Sequence, residues 1–513
     1  KKKMKYDEIR VKEGFCLRLK RFFFVKLKDK NFLKGISTLC GASLLNLIAG
    51  SVFSVCQLMI YEISYIYHTN PENEISSDNE TFYYPVELLS QTIATFFSAI
   101  LDKKFGLHYT NLIGTIVLII GYFILLFSKS FAADMVSMVF SGIGTGIISY
   151  PSTANACEWF KDNNGLVVGI IETMISLGSF SYNLMGEKIT NPDQKESVTT
   201  KDKDDKLYEK DIADRFKTYI IWLIVSVIIL YGLSFAMTFK KTKEIFRDTS
   251  NVTVGLLSME NENEIENENE QNQEQFNEKQ LGLISNTVEH DKVKKDFKKM
   301  LFAAIKSKAL ILFILIVILE SPLPSMIFSL NRSIGEIKGI NQYFLSSLGP
   351  VNFIFECAGG LIIGILCDFV TKRNLLIFNF GGNSIIAIFY CLTFGSNLWF
   401  FLFTNLSSFI SGGFYSFKDY YLINIFGVDL YVELMACVNL LAAFVIIALT
   451  PLSYSLQYNA NLESDAPYWI LFSICGILSL LGLILSLYAI EDPLNYDDLI
   501  KDDDDDKEEN KNA

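Results

Sequence analysis

The sequence predicts an all-α polytopic membrane protein, with twelve transmembrane helices in two pseudo-symmetric six-helix halves. Three observations lead there. Apolar runs of about 20 residues recur along the chain, long enough at 1.5 Å per residue to cross a ~30 Å hydrocarbon core. Charge is kept out of them: no Lys or Arg falls between Lys34 and Lys103, or between Lys418 and Lys501. A charged turn also occurs twice, first as Asp102-Lys103-Lys104-Phe105-Gly106. It returns 266 positions later as Gly364-Ile365-Leu366-Cys367-Asp368, followed by Lys372 and Arg373. The same offset of 266 carries Phe160 onto Phe426 and Gly146 onto Gly412. Duplicated spans with duplicated turns indicate a bundle built from an internal repeat, an arrangement that moves solutes between its halves.

Composition agrees. Half of the 513 residues are hydrophobic, 42 are Phe, and mean hydropathy is +0.29 although 20% of the chain is charged. A soluble chain of this length would form two or three domains with charge on every helix face. Lipid cannot hydrogen-bond a free backbone, so the runs are helices; the ~10-residue alternating segments of a β-barrel are absent.

In chain order, a basic arm (residues 1–34) precedes the first half, 35–239, with spans at about 35–61, 84–101, 108–128, 131–156, 164–187 and 216–239. A linker follows at 240–305, whose Asn/Glu-rich core cannot bury apolar surface and is expected to be disordered. The second half, 306–490, has spans at about 308–331, 341–367, 374–394, 397–424, 430–456 and 467–490, and an acidic tail closes the chain at 491–513. The basic arm and the basic turns after the second, sixth and eighth spans place both termini and the linker in the cytoplasm. The plasma membrane is the expected location. Asn79-Glu80-Thr81 in an outer loop is a glycosylation sequon. The nine cysteines show no disulfide or metal-ligand spacing. No nucleotide loop, nucleophile constellation or metal cluster is visible, so neither an enzyme nor a cofactor is expected, and no nucleic acid partner. The expected partners are a small-molecule substrate, protons and the bilayer, with the chain a monomer.

Polar matter at bilayer depth carries the functional signal. Ser43, Asn46, Gly50, Ser54, Gln57 and Tyr61 recur at helical spacing on one face of the first span. Ser141, Thr145, Ser149 and Ser152 do so in the fourth, and Glu172, Ser176, Ser179 and Asn183 in the fifth. Such stripes face protein or water, never lipid. Glu172, Glu320, Glu356 and the Lys418-Asp419 pair are ionisable groups in spans, retained at such depth only with a partner or a role. Glu320 precedes Ser321-Pro322-Leu323-Pro324, where the prolines are expected to break the seventh helix. A carboxyl so placed can exchange a proton, which makes Glu320, then Glu172 and Glu356, the proton-coupling candidates.

Six spans, a long cytoplasmic loop, six more spans and the doubled Gly/Asp–basic turn resemble the major facilitator superfamily over about 35–490. A local string is similar to its oxalate/formate antiporter and monocarboxylate porter branch, as found in bacteria and protists. It comprises Tyr150-Pro151, Glu158-Trp159-Phe160, Gly165-Leu166-Val167-Val168-Gly169-Ile170, Leu177-Gly178-Ser179-Phe180 and Asn191-Pro192-Asp193. The resemblance implies a cavity lined by the first, fourth, seventh and tenth spans. The candidate substrate residues are then Asn46, Ser54, Gln57, Tyr61, Thr145, Ser149, Glu320 and Lys418. It also implies gates at Asp102, Lys103, Lys104 and Glu158, and at Gly364, Asp368, Lys372 and Arg373, with Lys103 or Lys104 meeting Glu158.

One departure matters. Carriers of that branch use a basic residue in the eighth or eleventh span, where this chain has neither Lys nor Arg and the eighth offers Glu356. The expectation is therefore a secondary active or facilitative transporter of a small polar metabolite. A monocarboxylate-like anion leads, an amino acid or other cationic or zwitterionic solute is the alternative, and a non-transporting sensor or scaffold is the reading from another class.

Overall fold

Every one of the twelve expected spans coincides with a helix in the computed structural model, the seventh with two. The structure describes residues 30–70, 75, 77–195, 197–199, 206–240, 297–337, 339–340, 342–390, 396–459 and 466–489. The basic arm before Lys30, the Asn/Glu-rich core of the linker and the acidic tail lie outside the described residues.

The first six helices are α1 (Lys30–Thr69), α2 (Tyr83–Phe105), α3 (Leu107–Phe127), α4 (Phe131–Trp159), α5 (Asn164–Thr190) and α6 (Lys210–Met237). A 3-10 turn, Ser77–Phe82, leads into α2, and strands β1 (Val198–Thr199) and β2 (Lys206–Leu207) pair between α5 and α6. The seventh span is α7 (Lys308–Glu320) followed by α8 (Pro322–Ile337). The remaining helices are α9 (Gln342–Cys367), α10 (Lys372–Tyr390), α11 (Asn397–Phe426), α12 (Val428–Asn459) and α13 (Ala466–Ser486). Nine helices among the described residues are long and apolar enough to cross a membrane. The other spans, α2, α10 and α11, are diluted by polar residues.

Local sequence explains the joints. Gly106 alone separates α2 from α3, with φ of +83°, and Gly427 alone separates α11 from α12, with φ of +85°. A side chain at either would be strained. The α7–α8 break falls at Ser321, because Pro322 and Pro324 have no N–H to return to the preceding turn.

The internal repeat is visible in packing. A Cβ on Gly146 would run into the Gln91 carbonyl oxygen of α2; one on Gly412 would run into the Glu356 carbonyl oxygen of α9. The residues that the offset of 266 pairs thus make the same close approach to the same relative helix. Between α5 and α9, Gly165 and Gly169 face Gly360 and Gly364, so the two backbones touch. With lipid as apolar as the side chains, such contact, rather than hydrophobic burial, holds helices together. Exposed apolar residues such as Trp222 and Ile229 on α6, or Ile477 and Ile484 on α13, suit a hydrocarbon surround.

The chain forms two compact units, one from Lys1–Phe239 with Ile311–Pro493 and the other from Lys240–Leu310 with Leu494–Ala513. The first holds the bundle and the cavity described next. In the second, residues 297–306 are helical, and Lys306 Nζ sits 4.4 Å from the Phe302 ring centroid.

Candidate functional site

A central cavity of about 150 Å³ opens among the helices. Its lining comes from α1, α2, α4, α5, α7, α8, α9, α11 and α12, and no lining residue belongs to α3, α6, α10 or α13. Those four helices are outer staves. The wall is mixed: Phe53, Tyr84, Phe328, Phe353 and Tyr415 give aromatic surface, while Ser149, Ser176, Ser408 and Ser411 give hydroxyls.

Five ionisable side chains line the cavity: Glu172 from α5, Glu320 from α7, Glu356 from α9, and Lys418 and Asp419 from α11. The Tyr431 hydroxyl donates to Asp419 Oδ2 at 2.8 Å. Lys418 Nζ donates to Asn439 Oδ1 at 3.0 Å, and Asn439 Nδ2 donates to the Tyr150 hydroxyl at 2.7 Å. Lys418 also sits 5.2 Å from the Tyr415 ring centroid.

Glu320 is the last residue of α7, where the Lys418 charge also acts on it, and Asn352 and Glu356 stand one turn apart on α9. Glu320 Oε1 and Asn352 Oδ1 are buried with no hydrogen-bond partner among the described residues. The Asn383 amide of α10 approaches the Glu320 carboxyl without hydrogen-bond geometry.

Of the expected substrate residues, Ser149, Glu320 and Lys418 line the cavity, as do Glu172 and Glu356. Asn46, Ser54, Gln57, Tyr61 and Thr145 are not among the lining residues; they bind neighbouring helices. Asn46 Nδ2 donates to Ala42 O (2.9 Å) and Ser152 Oγ (3.3 Å). Ser54 Oγ meets the Tyr219 hydroxyl at 3.2 Å, Gln57 Oε1 accepts from Asn183 Nδ2 at 3.0 Å, and Tyr61 donates to Glu187 Oε2 at 2.9 Å. Thr145 Oγ1 donates to Gly142 O at 2.9 Å and reaches Glu87 Oε1 at 3.4 Å. The reason is Gly50, whose bare backbone lets α5 close against the polar stripe of α1. The cavity meets α1 at Ala49 and Phe53 instead.

The gate residues gather where α2, α4, α9 and α11 end. Asp368 accepts from the Gly165 amide (3.1 Å) and the Leu166 amide (3.0 Å), two N–H groups in the first turn of α5. Lys103 forms an ion pair with Glu433 in the second turn of α12. Lys104 lies 5.0 Å from the Phe105 ring, and Lys372 is buried at the start of α10 beside exposed Arg373. Asp102 and Glu158 sit half-buried at the same end, and Gly364 is the α5 contact described above.

Sequence reasoning missed three partners. Glu433 and Asn439 sit on α12 with no local motif to mark them. The third is a network at the opposite end, where Lys217 (α6) donates to Glu62 Oε1 (2.5 Å) and Leu125 O (2.8 Å), and Tyr83 donates to Asp134 Oδ2 (3.1 Å). Its residues lie at span edges, where charge is ordinary.

With this geometry stated, the comparisons can be read. The family model described as Major Facilitator Superfamily matches residues 81–192, which hold α2 through α5 and the first charged turn. Solved structures match nearly end to end. The proton:xylose symporter XylE, bound to 6-bromo-6-deoxy-D-glucose, superposes with TM-score 0.55 at 13% identity, over 90% of this chain and 96% of that one. This chain has the major facilitator fold. The human organic anion transporter MFSD10 (TETRAN) gives TM-score 0.53 at 12% identity, covering 90% of this chain and 100% of that one. XylE from E. coli in a partially occluded inward open conformation gives 0.55 at 12%, covering 90% and 99%. No curated protein matches the sequence. In facilitator-fold terms, the outer staves are the third, sixth, ninth and twelfth spans.

Proposed function

We propose that this facilitator-fold protein is a secondary transporter that moves a small polar solute by alternating access. The observation that carries the reading is the central cavity, walled by helices from both halves of the repeat and holding ionisable side chains in its wall. The half-boundaries read from the sequence, 35–239 and 306–490, are then the two bodies that rock about the site. Glu172, Glu320 and Glu356 are available for proton coupling. Glu172 and Asp419 line the cavity from opposite halves of the repeat, which favours their pair as the proton carrier. An organic anion of the monocarboxylate type would find one lining cation, Lys418.

The positive-inside bias of the basic arm and turns supports cytosolic termini, and the reading takes the chain as a monomer in the plasma membrane. Flux of a solute panel into proteoliposomes under imposed pH and voltage gradients tests the reading. Saturable uptake of at least one solute class is expected. Absence of flux for every class, with folded protein in the vesicles, would leave a sensor or scaffold.

A further inference from the structure

We infer that the solute bound in this cavity carries a protonated amine, an inference that rests on the transport reading and names its substrate class. The cavity wall holds four carboxyls, Glu172, Glu320, Glu356 and Asp419, against the single cation Lys418. Asp419 receives the Tyr431 hydroxyl, while Lys418 is held by Asn439 Oδ1 and the Tyr415 ring and its charge also acts on Glu320.

Glu320 is 3% exposed and Asn352 4% exposed, both line the cavity, and Oε1 of the first and Oδ1 of the second have no hydrogen-bond partner among the described residues. Glu356 lines the same wall one helical turn beyond Asn352.

What completes such a wall is decided by the kind of atom left over. Carboxylate and amide oxygens accept and do not donate, so a buried, unpaired set of them needs a donor-rich partner. An ammonium supplies three donors and a positive charge at one atom. A carboxylate solute would bring further acceptors against these acceptors, and negative charge against every wall carboxyl that is ionised.

The surrounding rings fit the same ligand. Tyr84 and Phe328 have centroids 5.3 Å apart, and Phe328 and Phe353 6.4 Å. They offer faces to a cation and flat surface to a short hydrocarbon body. A cavity of about 150 Å³ accommodates a body about the size of benzene. Amino acids remain within the class, with Lys418 available to their carboxylate.

The test is binding to the purified full chain in detergent, with benzylamine, leucine and butyrate as probes. Saturable binding of benzylamine or leucine, with none of butyrate, is the expected result. Glu320→Gln and Glu356→Gln are each expected to weaken amine binding at least about tenfold, equivalent to ~1.4 kcal/mol. Two variants are used so that misfolding of one leaves the other informative. Binding of butyrate alone, binding of none of the probes, or amine affinity unchanged in both variants overturns the inference. Flux separates this from the reading beneath it. Amine binding without flux of any solute removes transport and keeps the amine site. Butyrate flux that no amine competes keeps transport and removes the amine site.

Discussion

Asp368, just past the end of α9, caps α5 by accepting the backbone amides of Gly165 and Leu166 with its two carboxylate oxygens. The contact joins helices from opposite halves of the repeat, beside the glycine-to-glycine approach of Gly169 and Gly364. The first turn of a helix has N–H groups without intrahelical partners and a partial positive charge, so a carboxylate there stabilises the closed arrangement of this end.

It follows that Asp368 acts on the balance of states rather than on solute contacts. Replacing a cap by Ala costs about 0.5–2 kcal/mol. Asp368→Asn keeps one acceptor but loses the charge, and is expected to slow turnover by about two- to tenfold through a shifted population. The solute dissociation constant is expected to stay nearly constant. Flux and equilibrium binding on the same preparation check this; a raised dissociation constant with turnover intact would contradict it.

The Lys103–Glu433 pair joins the halves at the same end, but its side chains are 50% and 15% exposed. Exposed pairs contribute about 0–1 kcal/mol. Lys103→Met is therefore expected to change turnover less than Asp368→Asn does. The charge-reversed double variant Lys103→Glu with Glu433→Lys should recover most of any loss. Failure of the reversal to recover it would show that Lys103 works through another contact.

Lys217 is a stability residue. It is the cation beside Glu62, whose side chain is 0% exposed, and it also reaches the last turn of α3 through Leu125 O. Removing one partner of a buried pair typically costs ~3–5 kcal/mol, because the other charge is stranded. Lys217→Met is expected to lower the unfolding midpoint clearly, and Lys217→Met with Glu62→Gln to lower it less. Thermal unfolding in detergent decides the matter. If the double variant is the less stable of the two, the stranded-charge account is wrong.

These contacts show where sequence reading succeeds. Apolar runs and Pro322 locate the spans and the α7–α8 break, because lipid leaves the backbone no alternative to helix and proline no amide to donate. Asp368 is legible because its turn is duplicated. The offset of 266 aligned Lys418 with Ser152 and so drew attention to α11. The stripe on α1 was legible as a buried face, but not as a face sealed by α5. Periodicity says that Asn46, Ser54, Gln57 and Tyr61 share a side, while the close approach at Gly50 decides what that side meets. Glu62 and Lys217 lie 155 residues apart, each unremarkable at the edge of its span, so only folding brings them together.

The basic residues carry an expectation of topology. Lys240, Lys241 and Lys243 open the linker in sequence, as Lys103 and Lys372 mark the turns after the second and eighth spans. The positive-inside bias then predicts a cytosolic linker. A single cysteine engineered at position 265, in a variant lacking the native thiols, is expected to react with an impermeant reagent only after the cells are opened. Labelling in intact cells would invert the assignment.

Coupling is the last and most specific prediction, and the geometry directs it to Glu172. Glu172 and Asp419 come from α5 and α11, in opposite halves of the repeat, and both line the cavity. Two carboxyls in one wall disfavour ionising together, so one of them is expected to keep a proton. Tyr431 holds Asp419 at 2.8 Å. Under the proposed alternating access, Glu172 is therefore expected to be the member that moves away and gives its proton to whichever side the cavity then faces. Glu172→Gln keeps a donor for Asp419 but has no proton to exchange. It is expected to abolish uphill accumulation driven by an imposed pH gradient. Exchange between internal and external solute pools, which needs no net proton release, is expected to persist within about threefold, a change below ~1 kcal/mol. Proteoliposome accumulation and counterflow, measured side by side, separate the two. Continued concentration of solute by the variant along an inward proton gradient would remove Glu172 from the coupling step.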